Sequence, residues 1–260
     1  MAGSPAQATE QVDVELVLAV DVSGSMSDQE MKIQRRGYIE AFRSKEVIAA
    51  INSGLIGSIA VTYVEWARDD LQRNVVPWMK IDNAHDAHAF ADRLEAAPRG
   101  NMRYTSISGA IKTGMYMLDT NSFDGMRQVI DVSGDGPNNQ GGLASDARDE
   151  AVSRGIIING LPLMTNAFQF RYRGQEVALD AYYQSCVIGG PGAFLIPVTS
   201  WSGFSDAVRR KIVLEVAAVP EDIPMRHVPF VRAQFLEPFG QLVDCSIGEK
   251  MLGWTVPKKP

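Results

Sequence analysis

Asp21, Ser23 and Ser25 alternate directly after the apolar run VELVLAV at residues 14–20. A run of that kind forms a central strand covered on both faces, so three oxygen-bearing side chains are delivered together at one strand end. In open α/β sheets ligands collect at the carboxyl ends of the strands. Two further segments offer oxygens in the same setting: Asp135 in DVSGDGPNN, after a strand ending near Ser133, and Thr105 in NMRYTSISGAI, just before a helical pattern. An all-oxygen donor set selects a hard cation, Mg²⁺ first, with Ca²⁺ or Mn²⁺ sharing the preference. Two carboxylates about 4 Å apart repel by roughly 4 kcal/mol at an effective dielectric near 20, and a divalent ion turns that repulsion into attraction. Two carboxylates with hydroxyls also leave octahedral positions open, to be filled by water or an incoming group.

The elements that must hold these groups can be read from periodicity. Ser27 or Asp28 caps a helix whose apolar spacing, through Met31, Tyr38 and Phe42, continues to about Ile51. SIAVTYVEW (58–66) reads as a strand, and RNVVPWM (73–79) as an edge strand, because Pro77 cannot donate to a ladder. Helices follow over 84–97 and from Ile107 to Leu118, then a strand at 127–133, a helix at 143–154 and a strand at 155–162. Residues 163–177 read as irregular, 178–186 as a weak helix, 193–198 as a short strand, and Phe204, Val208, Ile212 and Val216 mark a last helix. Strands alternating with helices predict an α/β fold, a doubly wound, mostly parallel sheet with one antiparallel edge strand and helices on both faces.

On these residues the chain resembles the von Willebrand factor type A domain, a Rossmann-like fold carrying a metal-ion-dependent adhesion site. The D-x-S-x-S motif matches Asp21, Ser23 and Ser25, the family's distal threonine matches Thr105, and the aspartate of its D-G turn matches Asp135 before Gly136. The segments DVSGDGPNN and CVIGGPGAF resemble most an uncharacterised bacterial subfamily. The resemblance implies direct metal ligation by Ser23 and Ser25, ligation by Thr105 directly or through water, and Asp21 and Asp135 acting through bridging waters or directly. It further implies that an Asp or Glu of a protein partner completes the shell. The resemblance covers residues 13–218, preceded by a flexible N-terminus (1–12) and followed by a proline-rich extension packed on the domain (219–260).

Other chemistries find less support. A net charge of −6 and the lack of a basic stripe argue against nucleic acid; Arg35-Arg36 and Arg209-Arg210-Lys211 read as solvated helix faces. No apolar run is long enough to span a bilayer. P-loop and nucleophile-elbow motifs are absent. A metal-dependent phosphate-ester hydrolase is the alternative, with Arg103 beside Thr105 as its one nearby cation. His85 and His88 read as exposed helix-start residues, His227 has no obvious Ser or Asp partner, and Met26 reads as an exposed residue beside the metal. Trp66, Trp78, Trp201 and Trp254 read as core or edge anchors. The small-residue pattern AQA at 6–8 is that of a secretory cleavage site, although no apolar leader precedes it in this sequence, and export to the periplasm or beyond is the expectation. Cys186 and Cys245 are either a disulfide tying the tail to the domain or two buried free thiols.

Overall fold

The first strand, β1 (Glu10–Asp21), is buried at every position from Val12 onward, as its apolar run predicts. In the computed structural model, which describes residues 9–98, 100, 103–165, 170–172, 175–217, 231–232 and 243–253, β1 is an interior strand, third from one edge, of a seven-stranded sheet. The other strands are β2 (Ile59–Trp66), β3 (Gln72–Ile81), β4 (Phe123–Gly134), β5 (Ile157–Pro162), β8 (Phe194–Leu195) and β9 (Val231–Arg232), in the order β3-β2-β1-β4-β5-β8-β9. A separate hairpin of β6 (Phe170–Tyr172) and β7 (Gln175–Val177) lies within the stretch expected to be irregular. β1 pairs in parallel with both β2 and β4, and β4 with β5. β3 is the expected antiparallel edge, and its register slips against β2 near Pro77, where a ladder donor is missing. At the other edge β9, from the C-terminal tail, adds a second antiparallel strand of two residues.

Alternate residues of β1 serve two cores. Val14, Leu16, Leu18 and Val20 pack beneath α1 (Asp28–Phe42), α2 (Lys45–Asn52), α3 (Ala84–Ala96) and α7 (Phe204–Val216). Val17 and Ala19 pack against α4 (Ile107–Thr120), α5 (Ala144–Ser153) and α6 (Leu179–Tyr182), which runs into a π-helical turn at Tyr183–Val187. This period-two division follows from the pleat. The helix expected to reach Ile51 is broken into α1 and α2, because Ser44 takes an extended conformation and caps Val47. Strand β1 also starts at Glu10, four residues before the apolar run at 14–20 from which it was read.

Three charged or sulfur-bearing residues lie deeper than their sequence context suggested. Arg35 is 4% exposed and pairs with Glu65. Lys211 is completely buried between Asp131 and Glu215. Met26, 3% exposed, belongs to the α1-side core, because the turn in which its N–H donates to the Ser23 carbonyl (3.1 Å) folds it inward. His85 and His88 are exposed at the start of α3. Trp66 is a core residue, and Trp78 and Trp201 pack at the core's margin. His227, Trp254 and the prolines at 220, 224, 229 and 238 lie outside the described residues. The two cysteines form a disulfide, Cys186–Cys245, joining the π-helical turn to the segment before α8 (Ile247–Met251). Among the described residues no helix is long and apolar enough to cross a membrane.

Candidate metal centre

The strand order reverses beside β1: the chain moves outward to β2 and β3, then returns to place β4 on the other side. At such a switch point the loops leaving two adjacent parallel strands diverge and open a crevice at their carboxyl ends. Asp21 is the last residue of β1, and Asp135 directly follows β4. The crevice therefore receives one carboxylate from each wall.

Hydrogen bonds join four of the five sequence-identified residues into one chain. Asp21 Oδ1 accepts the Ser23 backbone N–H at 2.7 Å. The Ser23 and Ser25 hydroxyls are 3.0 Å apart, and Ser25 donates to Asp135 Oδ1 at 2.7 Å. Asp21 is wholly buried, Asp135 is half-buried and Ser25 is exposed, so the chain leads from the interior to solvent. Behind it, Gln34 of α1 donates to the Asp21 carbonyl at 2.8 Å and the Val22 N–H donates to the Trp66 carbonyl at 3.0 Å, fixing the end of β1. Ser27 and Glu30 form a capping box at the start of α1, which ends the loop two residues after Ser25.

Thr105 joins this group through its backbone. Its N–H donates to Asn139 Oδ1 at 2.9 Å, and its carbonyl accepts the Asn139 N–H at 2.8 Å. The Thr105 segment is thereby bound to the loop that begins with Asp135. Tyr104, just before it, takes a φ of +69°, a left-handed conformation that is strained for a bulky residue. Tyr104 is 46% exposed, and Arg103 is exposed beside it.

The electrostatics are those of anionic oxygens held without full compensation. Burial raises the Asp21 carboxyl well above its ordinary range, the neighbouring Asp135 charge raises it further, and hydrogen bonds from Ser23 offset only part of this. Asp135 is raised by burial, opposed by the Ser25 hydrogen bond, with Glu30 adding to the rise. Asp21 Oδ2 is buried and has no hydrogen-bond partner among the described residues. A buried carboxylate oxygen in that condition is costly unless a cation meets it. Among the described residues there is no cluster of three or more His, Cys, Asp or Glu side chains placed for a metal. The crevice instead combines two carboxylates with hydroxyls, a donor set that fits a hard divalent ion better than a soft one.

Two neighbours were not singled out from the sequence. Tyr183 is fully buried, and its hydroxyl lies 2.9 Å from the point a Cβ on Gly134 would occupy, as does Asp21 Oδ2. Glycine at 134 thus lets the tyrosine and the carboxylate share one small space. Glu30, the third residue of the capping box, brings another negative charge toward Asp135. Tyr183 carries no sequence signal, since it reaches the site only through the π-helical turn. The Ser-x-x-Glu spacing of residues 27–30 could have marked Glu30.

A family profile described as "Protein of unknown function (DUF1194)" matches residues 11–220. The chain belongs to the DUF1194 family. No curated protein matches it. Among solved structures, this DUF1194 chain is similar to the proximal thread matrix protein 1 of the mussel byssus with zinc in its MIDAS motif, at 12% identity and a TM-score of 0.53, over 78% of this chain and 45% of that one. It is similar to a von Willebrand factor type A protein from Catenulispora acidiphila at 14% identity and a TM-score of 0.52, over 79% and 43%. The pilus adhesin SpaC of Lactobacillus rhamnosus GG matches at 15% identity and a TM-score of 0.55, over 79% and 31%. This DUF1194 member therefore has the von Willebrand factor type A fold, and it spans less than half the length of each of these three proteins.

Proposed function

We propose that this DUF1194 protein is a divalent-metal-dependent protein-binding domain of the adhesion or assembly kind, with Mg²⁺ the fitting ion and Ca²⁺ or Mn²⁺ compatible with the same donors. Asp21, Ser23, Ser25, Thr105 and Asp135 would hold the ion, and an Asp or Glu of a partner protein would complete its coordination. A bound divalent ion would supply a positive charge to which a partner carboxylate can attach. The observation that carries this reading is the hydrogen-bonded chain from Asp21 to Asp135 at the switch point, ending internally in a carboxylate oxygen with no hydrogen-bond partner among the described residues.

The chain's own residues prepare the site. Asp21 is held in the dry interior, where solvent does not screen its charge. Ser25 and Asp135 stand where the crevice meets water, so a partner can reach them. Tyr104 and Arg103 form an exposed rim beside Thr105 and offer an aromatic face and a cation to the same partner. A groove of about 320 Å³, lined by residues that include Asp69, Lys112, Tyr116 and Gly141, lies along the start of α4 and the loop that follows Asp135. The disulfide and the similarity to a pilus adhesin support an exported location.

Calorimetric titration of Mg²⁺ into the wild type and Asp21→Ala tests the reading. Binding in the wild type and its loss in the variant are expected; equal affinity in both removes the proposal. Steady turnover of a phosphate ester with Mg²⁺, abolished by Asp135→Ala, would replace it with a hydrolase.

A further inference from the structure

The loop after Asp135 is held from outside the family's matched span. Helix α8 lies beyond residues 11–220, yet it packs on this loop. Glu249, 3% exposed, accepts a hydrogen bond from Asn138 Nδ2 at 2.6 Å. Gly248 approaches the Asn138 carbonyl so closely that a Cβ there would clash with its oxygen. Asn138 is completely buried, and its amide also donates to the carbonyls of Gln140 and Gly142 at 3.2 and 3.0 Å. Its Oδ1 accepts the Ser108 N–H at 2.9 Å, and its own N–H donates to the Tyr182 hydroxyl at 3.2 Å. Asn139, next in the chain, makes the paired bonds to Thr105. One buried amide thus ties together the Asp135 loop, the start of α4 after Thr105, and α8.

A helix of five residues does not sustain itself in water. Here the Cys186–Cys245 disulfide anchors it to the π-helical turn that carries Tyr183. Cys245 is half-exposed, so the bridge is open to a reductant.

We propose that α8 is a positioning element of the metal site. Through Glu249 and Asn138 it keeps Asp135 and Thr105 in register, and the disulfide makes metal affinity depend on the oxidised state of the chain. The inference rests on the metal-binding reading above. Reduction by a dithiol breaks the S–S bond, transfers two electrons and two protons to give two thiols, and leaves the reductant as its own disulfide.

The test uses the full chain in four forms besides the untreated wild type: dithiothreitol-treated wild type, Cys186→Ala/Cys245→Ala, Glu249→Ala and Glu249→Gln. Amide hydrogen exchange in metal-free protein reads the clamp directly. Exchange at Ser108 and Asn139 should rise at least tenfold in the reduced, double-alanine and Glu249→Ala proteins, with β1 amides still protected as proof of folding. Mg²⁺ affinity by calorimetry should fall at least tenfold in the same three. Glu249→Gln keeps the acceptor oxygen and should stay within about twofold of the wild type in both readouts, a rescue that generic destabilisation would not give. Exchange or affinity unchanged in the reduced and Glu249→Ala proteins would overturn this proposal alone. Failure of the untreated wild type to bind Mg²⁺ would overturn the metal reading and this one with it.

Discussion

Replacing Glu215 by glutamine should flatten the pH dependence of stability between about pH 4.5 and 7. Lys211, Asp131 and Glu215 are all buried, with the Lys211 ammonium 2.7 Å from Asp131 and paired also with Glu215. Asn159 Nδ2 donates to Glu215 at 3.0 Å, and the ammonium lies 5.4 Å from the centre of the Phe194 ring. Lys211 therefore faces two carboxylates in a dry pocket, and neutrality of that triad requires one proton. Burial, and then the Asp131 charge, push the Glu215 carboxyl from its ordinary 4.5 up to about 7, while Lys211 opposes the rise. The folded state consequently binds this proton more tightly than the unfolded chain does. Its stabilising contribution is complete below pH 4.5, declines as the pH rises and is gone above about 7. A carboxyl shifted that far carries about 3 kcal/mol, or roughly 6–12 °C in melting temperature for a domain of this size. Thermal melts of the metal-free wild type and Glu215→Gln at half-unit pH steps give the difference directly. Buried carboxylates outside this pocket contribute equally to both proteins and cancel, while Asp131, which shares Lys211 with Glu215, is part of the difference measured. A wild-type-minus-variant difference that stays constant from pH 4.5 to 7 would refute the shared-proton account.

Two further outcomes follow from close packing at the two ends of β1. Gly134→Ala should lower Mg²⁺ affinity at least tenfold by calorimetry and cost about 1–3 kcal/mol of stability, because its Cβ would meet Asp21 Oδ2 and the Tyr183 hydroxyl, each at 2.9 Å. Asp13→Ala, at the opposite end of the strand, should cost about 2–4 kcal/mol in urea denaturation while leaving Mg²⁺ affinity unchanged, since its carboxylate accepts the backbone N–H groups of Ile56, Gly57 and Ser58 at 2.9, 2.7 and 3.2 Å.

The mostly parallel sheet and the placing of Asp21 and Asp135 at strand ends were legible for related reasons. An apolar run such as residues 14–20 belongs inside a parallel sheet, and oxygens directly after it must emerge at a strand end. Buried polar residues were much harder to read. Lys211 and Arg35 look like ordinary solvated helix charges until the tertiary fold lays Asp131 and Glu65 against them. Pairing decides whether such groups are buried, and pairs this far apart in sequence leave no periodic trace. Met26 was misplaced for a similar reason: a turn of one hydrogen bond, from its N–H to Ser23, determines whether it faces water or the core.

From the sequence alone come the alternation of strands and helices, the edge position of the Pro77 strand, and the types and order of the oxygens at the strand ends. These rest on local chemistry: side-chain period, proline's missing donor, and the preference of hard cations for oxygen. The tertiary structure decided that Cys186 meets Cys245, that α8 reaches Asn138, and that Tyr183 shares its space with Asp21. Those contacts join residues far apart along the chain, and only the packing of the whole sheet and its helices brings them within bonding distance.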